Sequence, residues 1–150
     1  MKRVHSAVMI LALFGLAAGA AMAQSDQEAP ASYMITRSTK AIGYQVGGGS
    51  TRVNMRGTNV MPLANGEAKV EAKKGITQIE VLIRGLEQPS ARLGTELLTF
   101  VLWAVSPDGR TANIGELLAD RSGTGKLKAT TQLQTFSLIV TAEPYFSVQY

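Results

Sequence analysis

Cysteine is absent from this 150-residue chain, and histidine occurs once, at His5. His5 falls inside an N-terminal segment that reads as a removable secretory signal, so the remainder offers neither imidazole nor thiol. That excludes Ser-His-Asp and Cys-His nucleophiles, zinc sites of the usual His/Cys kind, disulfides and a lipid-carrying cysteine at the cleavage point. Aromatic residues are scarce, with Trp103 the only tryptophan. Long apolar runs are scarcer still. Residues 8–18 (VMILALFGLAA) form the only one, and it falls short of the roughly 20 apolar residues that a membrane span requires. Lys2 and Arg3 precede it, and Ala21-Met22-Ala23 follows with the small residues a signal peptidase reads. The signal is therefore placed at residues 1–23, with Gln24 as the new N-terminus, in preference to a membrane anchor.

The charge balance changes once that segment is set aside. The whole chain carries a formal +4; losing Lys2 and Arg3 leaves 13 cationic residues against 11 carboxylates, or +2. Most of the apparent basicity belongs to targeting, and a nucleic-acid partner is excluded on that ground. What remains, 127 residues, suits one domain that buries a core without staples.

Residues 24–32 (QSDQEAPAS) are polar and aperiodic, a flexible leader. The domain expected at 33–150 is built from short alternating segments. Residues 34–44 give an irregular first strand, Gly47-Gly48-Gly49-Ser50 a turn, and residues 51–55 a second strand. In residues 64–75 (ANGEAKVEAKKG) a helix has too little length between Gly66 and Gly75. Read at period two, Ala68, Val70 and Ala72 line one face and Glu67, Lys69, Glu71 and Lys73 the other. Ile79, Val81 and Ile83 alternate with Gln78, Glu80 and Arg84 in a strand with one wet face, and Leu82 breaks that alternation. Residues 86–96 (LEQPSARLGTE) form the longest connection, where Pro89 and Gly94 argue against regular structure.

Residues 99–117 (TFVLWAVSPDGRTANIGEL) hold the clearest turn. Leu98, Phe100, Leu102 and Ala104 point one way and Leu97, Val101, Trp103 and Val105 the other, so this strand is covered on both faces and sits centrally. Pro107-Asp108-Gly109 turns it into a strand at residues 111–119 as an antiparallel hairpin. SGTG at residues 122–125 turns the chain again. Leu127 and Ala129 alternate with Lys126 and Lys128. Finally Phe136, Leu138, Val140 and Ala142 line a face, with Ser137 and Thr141 opposite and Ile139 covered. The pattern predicts an all-β fold, an antiparallel immunoglobulin-like β-sandwich of about seven strands with no helix after the signal; a small barrel is the competing closure.

The segments VGGGSTRVNMRGTNVMP, NGEAKVEAKKG, FVLWAVSPDGRTANIGEL and LQTFSLIVTAEPYFSV together resemble the N-terminal β-domain of acidobacterial-type OmpA family envelope proteins, across residues 33–150. In that family a helical region and a peptidoglycan-binding module follow, and this chain contains neither. FVLWAVSPDGRTANIGEL and TFSLIVTAEP are more loosely similar to the extracytoplasmic domain of anti-sigma-K factors. Sigma-factor binding does not carry over, because a cleavable signal stands where those proteins have a cytoplasmic segment and a membrane helix. Both families continue past Glu143-Pro144 into a further apolar strand, so the resemblance implies a sandwich lacking its last strand.

Candidate site residues reduce to structural roles. Trp103, between Val101 and Val105, reads as core before ligand platform. The Gly47–Ser50 turn, followed by Thr51 and Arg52, lacks the helix and Lys-Ser/Thr of a phosphate loop. Glu67, Glu71 and Glu80 alternate with Lys69, Lys73 and Lys74 on a solvated face, unlike the facing carboxylates of a glycosidase. Asp108 and Asp120 sit in turns, and calcium there wants six or more oxygens. No catalytic, cofactor-binding or metal residue is assigned, and no cofactor. The expectation is a non-enzymatic, exported interaction or structural module of the cell envelope, periplasmic or outer-membrane-associated and not membrane-spanning. An envelope protein or cell-wall component is its partner. The alternative is an extracytoplasmic module binding a glycan or small molecule, or an anti-sigma-factor-like sensor.

Overall fold

Period-two alternation commits most of the chain to strands. In the computed structural model, which describes residues 40–149, they run as β1 (Ile42–Gly43), β2 (Ser50–Arg56), β3 (Asn65–Lys73), β4 (Ile76–Arg84), β5 (Thr99–Val105), β6 (Thr111–Glu116), β7 (Leu118–Ala119), β8 (Gly125–Thr131) and β9 (Thr135–Glu143). The signal, the leader and most of the expected first strand lie outside the described residues. Two antiparallel sheets result, a smaller one ordered β1-β9-β5-β6 and a larger one ordered β2-β3-β4-β8-β7. The all-β sandwich is thus the architecture, and the barrel is not.

The core lies between the sheets and uses the faces that the alternation assigns. Ala68, Val70 and Ala72 from β3 and Ile79, Val81 and Ile83 from β4 meet Phe100, Leu102 and Ala104 from β5 and Phe136 from β9, with Leu138, Val140 and Ala142 packed beside them. The Tyr44 ring tilts against Phe136, centroids 4.7 Å apart, and burial pushes the Tyr44 hydroxyl's pKa upward. Strand β5 is interior to its sheet, between β9 and β6, and buried on both faces. On its outer face the Trp103 indole N–H donates to Thr141 Oγ1 at 2.8 Å. Asn113, paired across from Trp103, donates its amide to the carbonyls of Phe146 and Val148 at 2.8 and 2.9 Å. These bonds strap the chain beyond β9 across that face.

Four expectations need correction. Residues 111–119 are not one strand: β6 pairs with β5 in the smaller sheet, whereas β7 pairs with β8 in the larger. A register shift between Leu102 and Trp103 and the positive φ of Gly115 (+140°) bend the chain there, and Leu117 passes between the layers. Ile139 is 36% exposed rather than covered: β5 pairs with it at Trp103, but β1 pairs with β9 only at Thr135 and Phe136, so no described strand flanks it on the side away from β5. Leu98 is exposed, since β5 starts one residue later. The 86–96 connection contains one helical turn, α1 (Pro89–Arg92), with Leu93 N–H donating to the Pro89 carbonyl at 2.8 Å. Proline is tolerated at a helix start because its missing N–H has no partner there anyway.

The expected turns form. Ser106–Arg110 closes the β5–β6 hairpin with Gly109 at φ +85°, and Ser106 Oγ donates to Asp108, which also pairs with Arg110. Asp120 Oδ1 accepts from Ser122 N–H, Ser122 Oγ and Thr124 N–H at 2.8, 2.6 and 3.0 Å, fastening the turn into β8. The Ser122 hydroxyl first, and then the Thr124 amide, hold the Asp120 pKa below the usual carboxylate value. A depressed pKa means the unfolded chain binds the proton more readily, so this contribution is present above the unfolded value of about 3.9 and is lost as pH falls through the folded value. Melting curves of Asp120→Ala taken between about pH 5 and about pH 2.5 should therefore show a shallower acid-side loss of stability than wild type. An identical slope would contradict the assignment.

Candidate functional site

The outer face of the larger sheet carries the feature with the most chemistry. Strand register lays its side chains in rows. One row runs Arg56, Asn65, Arg84; the next Asn54, Glu67, Leu82, Lys126, Leu118; the third Arg52, Lys69, Glu80, Lys128. Across these rows lies an open groove of about 680 Å³ whose lining includes Asn54, Arg56, Asn65, Leu82, Arg84 and Lys126. Neighbouring strands stand about 4.8 Å apart, so Arg56 and Arg84 root about 10 Å from one another on either side of Asn65.

Charge on this face is cationic after pairing. Glu67 lies 3.6 Å from Arg52, and Glu80 lies 3.0 Å from Lys128. The hydrogen bond from Lys128, then its charge, lowers the Glu80 pKa. That is the wrong direction for a general acid, which needs a raised value. With both carboxylates engaged, Arg56, Arg84 and Lys126 have no ion pair among the described residues. The groove therefore offers a half-buried aliphatic floor at Leu82, two side-chain amides and a cationic margin, and this suits a polar or anionic ligand held by surface contacts. Gly66, in the row beneath, lets β3 approach β4 closely: a Cβ there would stand 2.2 Å from the Leu82 carbonyl oxygen.

The structure disposes the sequence candidates separately. Trp103 is buried, 2% exposed, in the other sheet. Gly47 and Gly49 take positive φ in a turn that only leads into β2. Glu67 and Glu80 come together on the groove face, each beside a cation, and Glu71 lies one row further along, 3.8 Å from Lys73. Asp108 and Asp120 hold turns. Among the described residues no group of three or more His, Cys, Asp or Glu side chains is placed to hold a metal ion. Sequence reasoning missed Arg56, Asn65, Arg84 and Lys126, which are scattered over 71 positions and are gathered only by register. The one available signal was Leu82, whose break in the alternation marks an aliphatic side chain on the wet face. No protein-family model, curated protein or solved structure matches the chain.

Proposed function

We propose that this chain is an exported, non-enzymatic interaction module of the cell envelope, of the kind found on the N-terminal side of OmpA-like proteins, and that it holds a cell-wall component in the groove of its larger sheet. The observation carrying this reading is the groove itself: an aliphatic side chain and two amides on a wet sheet face, with the local carboxylates neutralised and cations left over. Export is supported by the signal-type N-terminus and the absence of thiols. The immunoglobulin-like part of the reading is supported by pairing order. The run β3-β4-β8-β7 has the A-B-E-D arrangement, β5 and β9 pair as C and F do, β6 sits beside β5 as an added hairpin strand, and β1 stands on the G side of β9. In this scheme β2 is an extra edge strand.

The test is a titration of residues 24–150 with soluble disaccharide-peptide fragments of peptidoglycan, followed by amide resonances. Shifts are expected at Asn54, Glu67 and Leu82, weakened in Lys69→Gln/Lys128→Gln, with Trp103 emission unchanged because that ring lies buried in the opposite sheet. Silence at the groove, or a response from Trp103, would overturn it.

A further inference from the structure

The groove opens at one end of the sandwich onto a surface of different character. The loop at residues 57–64 is folded tightly: Gly57 N–H donates to the Ala64 carbonyl at 2.6 Å, and Met61 N–H and Ala64 N–H close successive turns at 3.0 and 3.1 Å. Met61 is buried and its Sδ accepts from Glu87 N–H at 3.4 Å, which pins the loop to the segment after β4. A Cβ on Gly57 would stand 1.9 Å from the Met61 carbonyl oxygen, so the tight form requires glycine there. Anchored in this way, the loop holds Val60 and Leu63 out in solvent, 48% and 73% exposed. Two aliphatic side chains are thereby held in fixed positions in solvent at this end of the sandwich.

Cations lie at the same end of the larger sheet. Arg56 ends β2 immediately before the loop, and Arg84 pairs across from Asn65 immediately after it. Lys126 lies one strand further on, between Leu82 and the exposed Leu118, and Arg121 is exposed in the adjoining turn. Of the carboxylates at this end, Asp120 is bonded within its own turn and also feels the charge of Lys126, and Glu87 lies 4.0 Å from Arg92. Aliphatic side chains beside a sheet end with an excess of cations match the boundary between anionic headgroups and acyl chains. A soluble polyanion would match the cations alone.

We infer that this end of the sandwich, built from the 57–64 loop with Arg56, Arg84 and Lys126, docks peripherally on an anionic lipid bilayer, inserting Val60 and Leu63 at the headgroup boundary. Among the described residues no helix is long and apolar enough to cross a membrane, and docking of this kind needs none. The inference goes beyond the groove reading: it shares Arg56, Arg84 and Lys126 with the groove margin and adds Val60 and Leu63, which the groove reading does not use.

The experiment is sedimentation of residues 24–150, which include every described residue, with vesicles of phosphatidylglycerol and phosphatidylcholine, and with phosphatidylcholine alone. Binding is expected to the anionic vesicles only. Val60→Ser/Leu63→Ser should weaken it about tenfold, and Arg56→Gln/Arg84→Gln/Lys126→Gln on the order of 100-fold. Lys69→Gln/Lys128→Gln, which tests the groove, should lower vesicle binding far less than the latter triple variant. All substituted side chains are exposed, and unchanged melting of each variant serves as the folding control. Equal binding to neutral vesicles would overturn the inference. So would full binding by the Val60/Leu63 variant together with competition by soluble polyphosphate, since the partner would then be a polyanion in solution. Loss of muropeptide shifts with vesicle binding intact would sink the groove reading alone.

Discussion

Trp103→Ala lowers the free energy of unfolding by about 3–5 kcal/mol, the range for removing a large buried ring. The ring is buried on the outer face of β5, where Val101 is buried beside it and Asn113 straps the following chain across. Two losses add. The ring's volume becomes a cavity that fixed strands on either side do not close, and the Thr141 hydroxyl loses the indole donor 2.8 Å away. Trp103→Phe keeps most of the volume and isolates the second loss, about 1 kcal/mol. Glu71→Ala is the control. That carboxylate is half-exposed and lies 3.8 Å from Lys73, so its removal stays within about 0.5 kcal/mol. Urea midpoints at constant slope measure all three. Equal shifts for Trp103→Ala and Glu71→Ala would contradict the faces assigned to β3 and β5.

Leu117→Ala and Leu118→Ala should differ sharply although the two residues are neighbours. Leu117 is 1% exposed and Leu118 67% exposed. Leu117 N–H still donates to the Phe100 carbonyl at 2.8 Å in the smaller sheet, while Leu118 already pairs with Lys126 in the larger. The Leu117 side chain therefore fills the space where the chain changes layers. It lies over Gly125 together with Leu86: a Cβ on Gly125 would stand 2.9 Å from Leu117 Cγ and from Leu86 Cδ1. Truncating Leu117 should cost about 2–5 kcal/mol, and truncating Leu118 within about 0.5 kcal/mol. Comparable costs would mean that the crossing between layers lies elsewhere.

The alternation of Ala68-Val70-Ala72 against Glu67-Lys69-Glu71 made β3 readable, as did Ile79-Val81-Ile83 for β4, because a sheet with one wet face imposes that period directly. The dry character of β5 was equally legible, since apolar residues at both parities require cover on both sides. The layer change at Leu117 was not. Ile114, Leu117 and Leu118 are apolar whether the chain stays in one sheet or leaves it, and the bulge that decides, which leaves Ile114 unpaired in β6 between Asn113 and Gly115, exists only against the register of β5. Ile139 misled for a related reason: its cover depends on a strand on the far side of β9 from β5, and described pairing with β1 there ends at Phe136. The groove lay furthest from the sequence. Arg56, Asn65 and Arg84 share a row only once two hairpins have fixed their registers, and no local spacing encodes that.

The position of β5 has a consequence for how the molecule assembles. Strands β2, β3 and β4 close through short connections, so they can zip together early. Strand β5, the most hydrocarbon-rich of all, must wait for a neighbour that comes last, with Thr99 meeting Glu143. Bridging that separation sets the slow step of renaturation. A polypeptide halted before Thr135 would leave β5 with one flank bare, and such intermediates would stick to one another before they could mature.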